Sequence, residues 1–341
     1  MTKREIFSLV ILVLVIGFAA YKYFNRTFTA TKTRFLLDTI VDISASSKSK
    51  TVSKEIDSVF VFIEKMEAKL DEYDSGSWVS RFNAMESGYF PMDEDVYELL
   101  SISDSLYNIS EGSFDITIKP IFDLWGFGTN ASEVGDSLVQ APPDSLKIQE
   151  KLAMVSFPRL RYDKKSIYKP AGMQISLGAI AKGYILDKAR EYMQSLNLEK
   201  GYISCRSSMT LFGSDTPQVI LIQDPRNPNS EIASFKLSKS SLGTSGDYQQ
   251  FFEYQGTRYH HILNAKTGFP VQGVYSVTVI HPSAAWADGL STALFTMDPL
   301  KAIELVKEMP HANAVIYCTQ DGNISSIKTK GMQDLGFSER L

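Results

Sequence analysis

The spacing of apolar residues predicts a series of amphipathic helices. Apolar side chains recur every three or four residues from Val52 to Leu70, and again after Asp93, a residue that favours the N-cap position. A third run with this period begins at Lys182. Further helices are predicted at 144–152, 284–297 and 300–309.

Segments rich in β-branched and aromatic residues predict strands between these helices. One covers 34–45, most follow residue 153, and a polar stretch at 129–143 is predicted as a loop. The later strands are predicted at 167–168, 173–175, 202–204, 219–222, 232–237, 248–254, 258–263, 275–280 and, as the last strand, 314–318. Strands in hairpin-like succession, with helices between the groups, predict an α+β fold with mainly antiparallel sheets.

The N-terminus carries an export signal. Lys3 and Arg4 precede an apolar run at 6–20, a pattern common to cleaved signal peptides and to uncleaved anchors. Aromatic residues at 21–24 could extend the run to a membrane span. We favour an uncleaved signal anchor at 1–26, leave cleavage open, and expect the domain at 31–341 to work outside the cytoplasm.

Composition narrows the class of protein. A chain of 341 residues, 44% of them hydrophobic, is long enough for one large domain or two closely packed lobes. The balance of 35 basic and 39 acidic residues, with a net charge of -4, argues against nucleic-acid binding. Cys205 and Cys318 lie in apolar runs and are interpreted as buried small side chains; they form no metal pattern, and their pairing is open.

The stretch at 176–184, Ser-Leu-Gly-Ala-Ile-Ala-Lys-Gly-Tyr, predicts a strand, a turn of small residues and the start of a helix. Small residues let the backbone approach a ligand, and a helix N-terminus attracts a phosphate. Lys182, in the first turn, would add a full positive charge. The alternative is an ordinary packing turn with a solvated lysine.

A second informative stretch, at 287–293, places a carboxylate and a hydroxyl on one helix face. Asp288 and Thr292 are four residues apart. Oxygen ligands of this kind suit Mg²⁺, which takes one or two carboxylates together with waters and phosphate oxygens. The alternative is an acidic residue near the N-terminus of its own helix and a threonine bonded back to that helix.

Three further sites have candidate chemistry. His260 and His261 are adjacent in a predicted strand and should face opposite sides, so that one is structural or solvent-facing and the other is a candidate general base. The sequence Trp125, Gly126, Phe127, Gly128 could form the floor for a flat ring, although such runs are more often core and turn. Residues 244–248, from Thr244, are predicted as a turn whose hydroxyl and N–H groups could hold a ligand, or as a simple hairpin entry.

Taken together, these stretches resemble the ApbE family of FAD:protein FMN transferases over nearly the whole chain after the N-terminal segment. The matching motifs, in the order of the family, are 70–73 with 80–83, 112–117 with 125–128, 177–184, 244–248, 258–262 with 267–270, and 288–293. The resemblance implies an ApbE-like fold of antiparallel sheets and packed helices in two interlocked lobes, preceded by a membrane anchor helix.

The resemblance also implies an activity and a set of site residues. An enzyme of this family would use Mg²⁺ to split the diphosphate of FAD, attach FMN to a threonine of an acceptor protein through a phosphoester, and release AMP. It implies Asp288, Thr292 and the carbonyl of Ala179 as metal ligands and His261 as the group that activates the acceptor hydroxyl. The implied FAD contacts are Tyr73, Trp125, Gly126, Phe127, Ser176, Lys182, Thr244 and His261.

The implied partners are FAD and an acceptor carrying a Ser/Thr-Gly-Ala-Thr type motif, expected to be a subunit of a membrane redox complex. The acceptor motif does not occur in this chain, which is therefore interpreted as the enzyme. The expected location is the inner (cytoplasmic) membrane, with the catalytic domain on the periplasmic side.

Three departures from the family pattern leave alternatives open. Ser176 stands where the family usually has an aspartate, the segment at 204–208 replaces an Asn-x-Gly-Gly-Asp/Glu type segment, and Asn264 and Ala265 replace an Asp-Pro pair. The alternatives are a Mg²⁺-dependent FAD diphosphatase and a non-catalytic flavin-binding protein.

Overall fold

The structure, a computed structural model, describes residues 2–127 and 141–340. The helices are α1 (Lys3–Phe24), α2 (Val52–Leu70), α3 (Trp78–Ala84), α4 (Glu94–Ile109), α5 (Lys119–Leu124), α6 (Ser145–Leu152), α7 (Ala181–Ser195), α8 (Ala284–Phe295), α9 (Pro299–Glu308) and α10 (Gly331–Asp334), with a 3-10 turn at Phe157–Arg159. The strands of the N-terminal half are β1 (Phe28–Leu36), β2 (Thr39–Ser47), β3 (Gly88–Pro91), β4 (Arg161–Tyr162) and β5 (Ser166–Lys169). Those of the C-terminal half are β6 (Lys200–Ser204), β7 (Ser208–Phe212), β8 (Gln218–Gln223), β9 (Glu231–Leu237), β10 (Ser241–Gly246), β11 (Phe251–Tyr254), β12 (Thr257–His260), β13 (Leu263–Asn264), β14 (Phe269–Pro270), β15 (Val274–His281), β16 (Asn313–Gln320), β17 (Asn323–Lys328) and β18 (Ser338–Glu339).

An eight-stranded sheet forms the centre of the molecule. Its order is β1-β2-β6-β7-β10-β15-β16-β17, and every neighbouring pair is antiparallel. The α+β fold with mainly antiparallel sheets is therefore confirmed.

The central sheet is covered on both faces. Along β16, Ala314 and Ile316 face the core that holds α2, α7 and α8, whereas Val315 and Tyr317 face a second core under the three-stranded sheet β18-β9-β8. Alternate residues of a strand point to opposite faces, so a strand apolar at successive positions is buried on both sides. A smaller apolar cluster joins α5 and α6 to β13 through Trp125, Ile121, Ile148 and Leu263.

The helix predictions are largely confirmed. Asp93 caps α4 by accepting hydrogen bonds from the N–H groups of Asp95 and Val96, and Asp144 caps α6 in the same way from Leu146. The loop predicted at 129–143 lies outside the described residues, apart from its last three positions.

The strand predicted at 173–175 is wrong. These residues are extended, but only Gln174 forms a β-bridge, to Ile118. The side chain of Asn83 accounts for the difference, because its amide donates to the carbonyl of Ile175 at 2.8 Å and its oxygen accepts from the N–H of Ile175 at 2.8 Å. A side chain thus satisfies backbone groups that a neighbouring strand would otherwise pair.

The turn predicted at 244–248 is wrong for its first three residues. Thr244, Ser245 and Gly246 belong to β10, a central strand of small residues, and only Asp247 and Tyr248 turn. Small residues suit this strand because α8 packs directly on it: a Cβ atom added to Gly243 would lie 2.6 Å from the carbonyl oxygen of Ala287. Such residues are uncommon in strands, so local propensity points away from the observed structure.

Other strand boundaries differ as well. The segment at 34–45 is not one strand but parts of the β1–β2 hairpin, which turns at Leu37 and Asp38 with φ of 55° and 56°. The strand predicted at 248–254 begins only at Phe251, and the one predicted at 258–263 breaks after His260. Residue 318 does not end the last strand, since β17 and β18 follow.

The N-terminal segment forms α1, which contributes no buried residue. Its 22 residues have a mean hydropathy of 2.2 in their most apolar window, enough by length and composition to cross a membrane. An N-terminal signal sequence has the same properties.

Candidate active site

A cavity of about 910 Å³ opens beside the N-terminus of α7 and the inner face of α8. Nine of the eleven site residues implied by the resemblance line it. They are Tyr73, Phe127, Ser176, Ala179, Lys182, Thr244, His261, Asp288 and Thr292. These residues come from distant parts of the chain, so their convergence is a property of the fold.

The N-terminus of α7 is held by a carboxylate from another helix. The N–H of Gly183 donates to Oδ2 of Asp288 at 2.9 Å. In an α-helix this N–H would pair with the carbonyl four residues earlier, that of Ala179. In the described ranges no backbone N–H donates to the Ala179 carbonyl, which is therefore available to a ligand on the cavity wall.

Asp288 is buried, and both of its oxygens have partners. The hydroxyl of Ser208 donates to Oδ1 at 2.8 Å, while Oδ2 receives the Gly183 N–H. Burial raises the pKa of the Asp288 carboxyl above its usual range, and the ammonium of Lys182 opposes that shift. The alternative, an acidic residue that interacts with the dipole of its own helix, is wrong. Asp288 lies one turn inside α8, and its carboxylate accepts a hydrogen bond from the N-terminus of α7.

Thr292 follows Asp288 by one turn of α8 and also faces the cavity. Its Oγ1 lies 2.9 Å from the hydroxyl of Ser245 in β10, so this threonine bonds across to the sheet. Among the described residues no three His, Cys, Asp or Glu side chains cluster around a possible metal. A cation here would depend on a mixed set: one carbonyl, one carboxylate and one hydroxyl. This all-oxygen set fits a hard cation such as Mg²⁺.

The two adjacent histidines have different surroundings, as the sequence predicts. His260 is 2% exposed, and its Nε2 lies 2.6 Å from the carbonyl of Val271. His261 follows the end of β12 and faces the cavity. The prediction that the two side chains have different surroundings is confirmed, whereas the role of His261 as a base stays a prediction.

The ring of His261 is placed as a neutral base. Its Nδ1 lies 3.3 Å from the carbonyl of Gln250, a contact in which Nδ1 carries the proton and Nε2 keeps its lone pair. Burial, with smaller contributions from His260 and Lys182, lowers the pKa of His261 to about 4. The imidazole is therefore uncharged at neutral pH.

The aromatic run contributes less to the wall than the sequence indicates. Trp125 is 2% exposed; its Nε1 donates to the carbonyl of Gly268 at 2.8 Å, and its ring stacks on Tyr259. Neither Trp125 nor Gly126 lines the cavity, whereas Phe127 does, together with Phe122. Gly128 lies outside the described residues.

The middle of the segment at 204–208 lines the cavity through Cys205, Arg206 and Ser207. Cys205 and Cys318 are free and buried, and burial raises the pKa of the Cys205 thiol to about 11, so it is protonated and unreactive. Arg206 lines the cavity and has φ of 62°, a conformation that favours glycine. The segment therefore presents a cation to the cavity.

Sequence reasoning missed a second group of charged residues, of which Glu72 lines the cavity. Glu72 lies on the cavity wall with its side chain 10% exposed, and its Oε1 is 3.6 Å from Nζ of Lys119. Lys119 also pairs with Asp123 at 2.9 Å. Charged residues next to a helix end are usually solvated, so the sequence carries no local signal for their burial.

Known proteins share both the sequence pattern and the fold. A sequence model of the ApbE family matches residues 37–316. The FAD:protein FMN transferase of Haemophilus influenzae is 28% identical over 297 residues, which cover 83% of each chain. That of Escherichia coli (strain K12) is 27% identical over 282 residues, covering 78% of each chain.

Two solved structures have the same fold over almost their full length. The ApbE protein of Thermotoga maritima superimposes with a TM-score of 0.82 at 29% identity, covering 92% of this chain and 100% of that one. The flavinyl transferase ApbE of Pseudomonas stutzeri, in its apo form, superimposes with a TM-score of 0.78 at 27% identity, covering 91% and 97%.

Proposed function

The chain belongs to the ApbE family, and from that premise we propose that it transfers FMN from FAD to a hydroxyl group of an acceptor protein. Relatives that match about four fifths of the chain are named FAD:protein FMN transferases. The observation that carries the proposal is the meeting, in one cavity, of a helix N-terminus with Lys182, a neutral His261 and an oxygen set on α8 and the preceding turn.

FAD is the proposed donor, with its diphosphate at the N-terminus of α7. The helix dipole favours anions at such a terminus, and the Lys182 ammonium adds a full charge. The N-cap residue, Ile180, offers no side-chain hydrogen bond to the first turn. The remaining FAD contacts proposed are Tyr73, Ser176, Thr244, Phe127 and, through the backbone, Trp125 and Gly126.

Mg²⁺ is the proposed metal, held by the Ala179 carbonyl, the Asp288 carboxylate and the Thr292 hydroxyl. When bound, it would neutralise charge on the diphosphate during displacement at phosphorus. The supporting observation is the carbonyl of Ala179, which the Asp288–Gly183 hydrogen bond leaves without a helical partner.

The proposed reaction is a displacement at the phosphorus of the FMN half. The acceptor hydroxyl oxygen forms a new bond to this phosphorus, and the bond to the bridging oxygen breaks. The hydroxyl proton passes to Nε2 of His261, and the electron pair of the broken bond leaves with AMP. Lys182 holds the diphosphate in place while charge develops on the leaving phosphate.

The acceptor residue is proposed to be a threonine in a Ser/Thr-Gly-Ala-Thr type motif of a membrane redox subunit. We further propose that α1 anchors the enzyme in the inner membrane and that the domain at 31–341 acts on the periplasmic side. The supporting features are the basic residues before the apolar run and the absence of any buried residue in α1.

The experiment is to incubate the protein with FAD, Mg²⁺ and an acceptor that carries the threonine motif, and to measure the intact mass of the acceptor. A gain of one FMN supports the proposal. An unchanged mass, when a known family member modifies the same acceptor, would overturn it. The matched control acceptor has the motif threonine replaced by valine and should gain nothing.

A further inference from the structure

One buried carboxylate oxygen on the cavity wall has no partner. Six buried polar side-chain atoms among the described residues lack a hydrogen bond, and of these only Oε2 of Glu72 belongs to a residue that lines the cavity. The Glu72 side chain is 10% exposed. A buried carboxylate oxygen without a donor is unfavourable, so this position calls for a ligand group that donates one.

The ammonium group of Lys119 does not supply a donor to this oxygen. Nζ of Lys119 lies 3.6 Å from the other oxygen, Oε1, and its short contact, at 2.9 Å, is with Asp123. The hydroxyl groups of Ser176 and Tyr73 lie beside the carboxylate and lower its pKa, but burial has the larger effect and raises it. Oε2 therefore remains without a hydrogen-bond donor in a residue that lines the cavity.

The surroundings indicate which part of FAD would meet this oxygen. A phosphate is excluded, because a buried carboxylate repels it. The aromatic side chains of Tyr73, Phe122 and Phe127 line the same cavity, which favours the edge of a flat ring over a sugar hydroxyl. FAD has two ring systems with N–H donors: the imide of the isoalloxazine and the amine of adenine.

We propose that Glu72 accepts a hydrogen bond from an N–H group on one of the two ring systems of FAD and thereby determines specificity for that ring system. The inference rests on the proposed function, since it takes FAD to be the ligand. The isoalloxazine imide and the adenine amine have this chemistry in common, and the experiment separates them.

The test measures dissociation constants of FMN and ADP, the two halves of FAD, on the full-length chain in detergent. Each half is paired with an analogue that lacks the donor: FMN methylated at the imide nitrogen, and purine riboside 5′-diphosphate, whose ring carries neither an amine nor an N–H. The variants are Glu72→Gln, which keeps the shape, and Glu72→Leu, which removes both oxygens. The control is Glu67→Gln, because Glu67 also lines the cavity but already accepts the N–H of Leu37 at 2.7 Å.

The expected result is selective. For one of the two halves, the dissociation constant should rise roughly tenfold in Glu72→Gln and roughly a hundredfold in Glu72→Leu. For the other half, the dissociation constant should stay within about twofold of the wild-type value in both variants. Wild type should discriminate against the matching analogue, and Glu72→Leu should abolish that discrimination, which isolates the contact from any structural effect. The Glu67 control should bind both halves as wild type does.

Two results would overturn the inference: unchanged affinities in both Glu72 variants, or discrimination against the analogue that persists in Glu72→Leu. Equal losses for FMN and ADP would also overturn it, because they indicate general damage to the cavity. Transfer of FMN to the acceptor by wild type, together with unchanged affinities in the variants, would refute the role of Glu72 and leave the proposed function standing. Selective loss of affinity for one half, without transfer of FMN by wild type, would support the role of Glu72 and refute the proposed function.

Discussion

His261 is held as a neutral imidazole by its surroundings. The Gln250 carbonyl accepts a hydrogen bond from Nδ1–H, and burial, with the nearby His260 and Lys182, disfavours a second proton. An anionic diphosphate bound near Lys182 would reverse part of this electrostatic effect, because a negative charge favours the imidazolium. The base would thus become stronger when the substrate is present.

The pKa of His261 can be followed directly by NMR, since the chain has only four histidines. In the free protein we expect it to titrate at about 4, below the ordinary value of 6.5. Because the folded state binds this proton less readily than the unfolded chain, stability from this group is complete above pH 6.5 and is lost as the pH falls towards 4. Addition of FAD should raise the pKa.

The His261→Asn variant assigns the resonance and serves as the control. A signal from His261 that titrates near 6.5 in the free protein would contradict the assignment of a neutral, half-buried base. So would a pKa that falls further when FAD is added.

Asp288 combines two roles, which a conservative substitution can separate. Asp288→Asn keeps an oxygen to accept the Gly183 N–H but removes the charge. We expect Mg²⁺-dependent turnover to fall at least about a hundredfold, with the thermal midpoint within a few degrees of wild type.

The matched control for Asp288 is Ser208→Ala. It removes the hydroxyl that donates to Oδ1 and leaves the carboxylate in place. Turnover should then fall by no more than about tenfold. Wild-type turnover with Mg²⁺ in Asp288→Asn would refute the metal assignment.

At the scale of elements, the site depends on the close approach of α7 to α8. A Cβ atom added to Gly183 would lie 2.2 Å from the carbonyl oxygen of Ala284 and 2.6 Å from the Cβ of Asp288. Only glycine permits this contact, and the contact brings the Asp288 carboxylate to the α7 N-terminus.

Two alanine substitutions, one in the first turn of α7 and one just before this helix, test this packing. At an exposed helix position, replacing glycine by alanine stabilises a protein through the higher helix propensity of alanine. Gly183 is buried against α8, so the added methyl group of Gly183→Ala should instead lower the free energy of unfolding by about 1–3 kcal/mol or more. Gly178→Ala is the control, since its Cβ would meet only the Ser176 hydroxyl, at 3.7 Å. Chemical denaturation measures both. Equal stabilities would show that α7 and α8 have room to separate.

Element by element, prediction from sequence succeeded where the signal is local. The caps of α4 and α6, and the shared face of Asp288 and Thr292 on α8, follow from residue type and spacing alone. β10 was missed because its Ser and Gly residues have poor strand propensity, and its two glycines are required by close contacts, that of Gly243 being with α8. The segment at 173–175 was wrongly predicted because the partner of its backbone is the side chain of Asn83, distant in sequence.

The site was predictable to a similar extent. The order of motifs identified residues that meet in the cavity, because family resemblance carries information about tertiary contacts that propensity does not. It did not distinguish Phe127, on the wall, from Trp125, in the core behind it. The buried charges of Glu72 and Lys119 were missed because burial of charge depends on packing from several elements.

At the scale of the whole molecule, α1 stands apart from the domain. None of its residues is buried, so its removal should not change the core. A protein lacking residues 1–26 should unfold at the same denaturant midpoint as the full chain and remain in the soluble fraction, whereas the full chain should sediment with membranes.

Differential centrifugation and denaturation of both forms check this expectation. A loss of stability in the shortened protein would mean that α1 packs on the domain. A full chain that remains soluble would contradict the anchor. Mass spectrometry of the mature N-terminus separates an anchor from a cleaved signal.

The central claim is that the FMN half of FAD goes to a protein and not to water. The most direct measurement is the ratio of AMP released to FMN bound to the acceptor, with and without that acceptor. The account predicts one AMP for each protein-bound FMN, and only background AMP when the acceptor is omitted. Release of AMP and free FMN at the same rate with and without the acceptor, with no gain in acceptor mass, would contradict it and identify a diphosphatase.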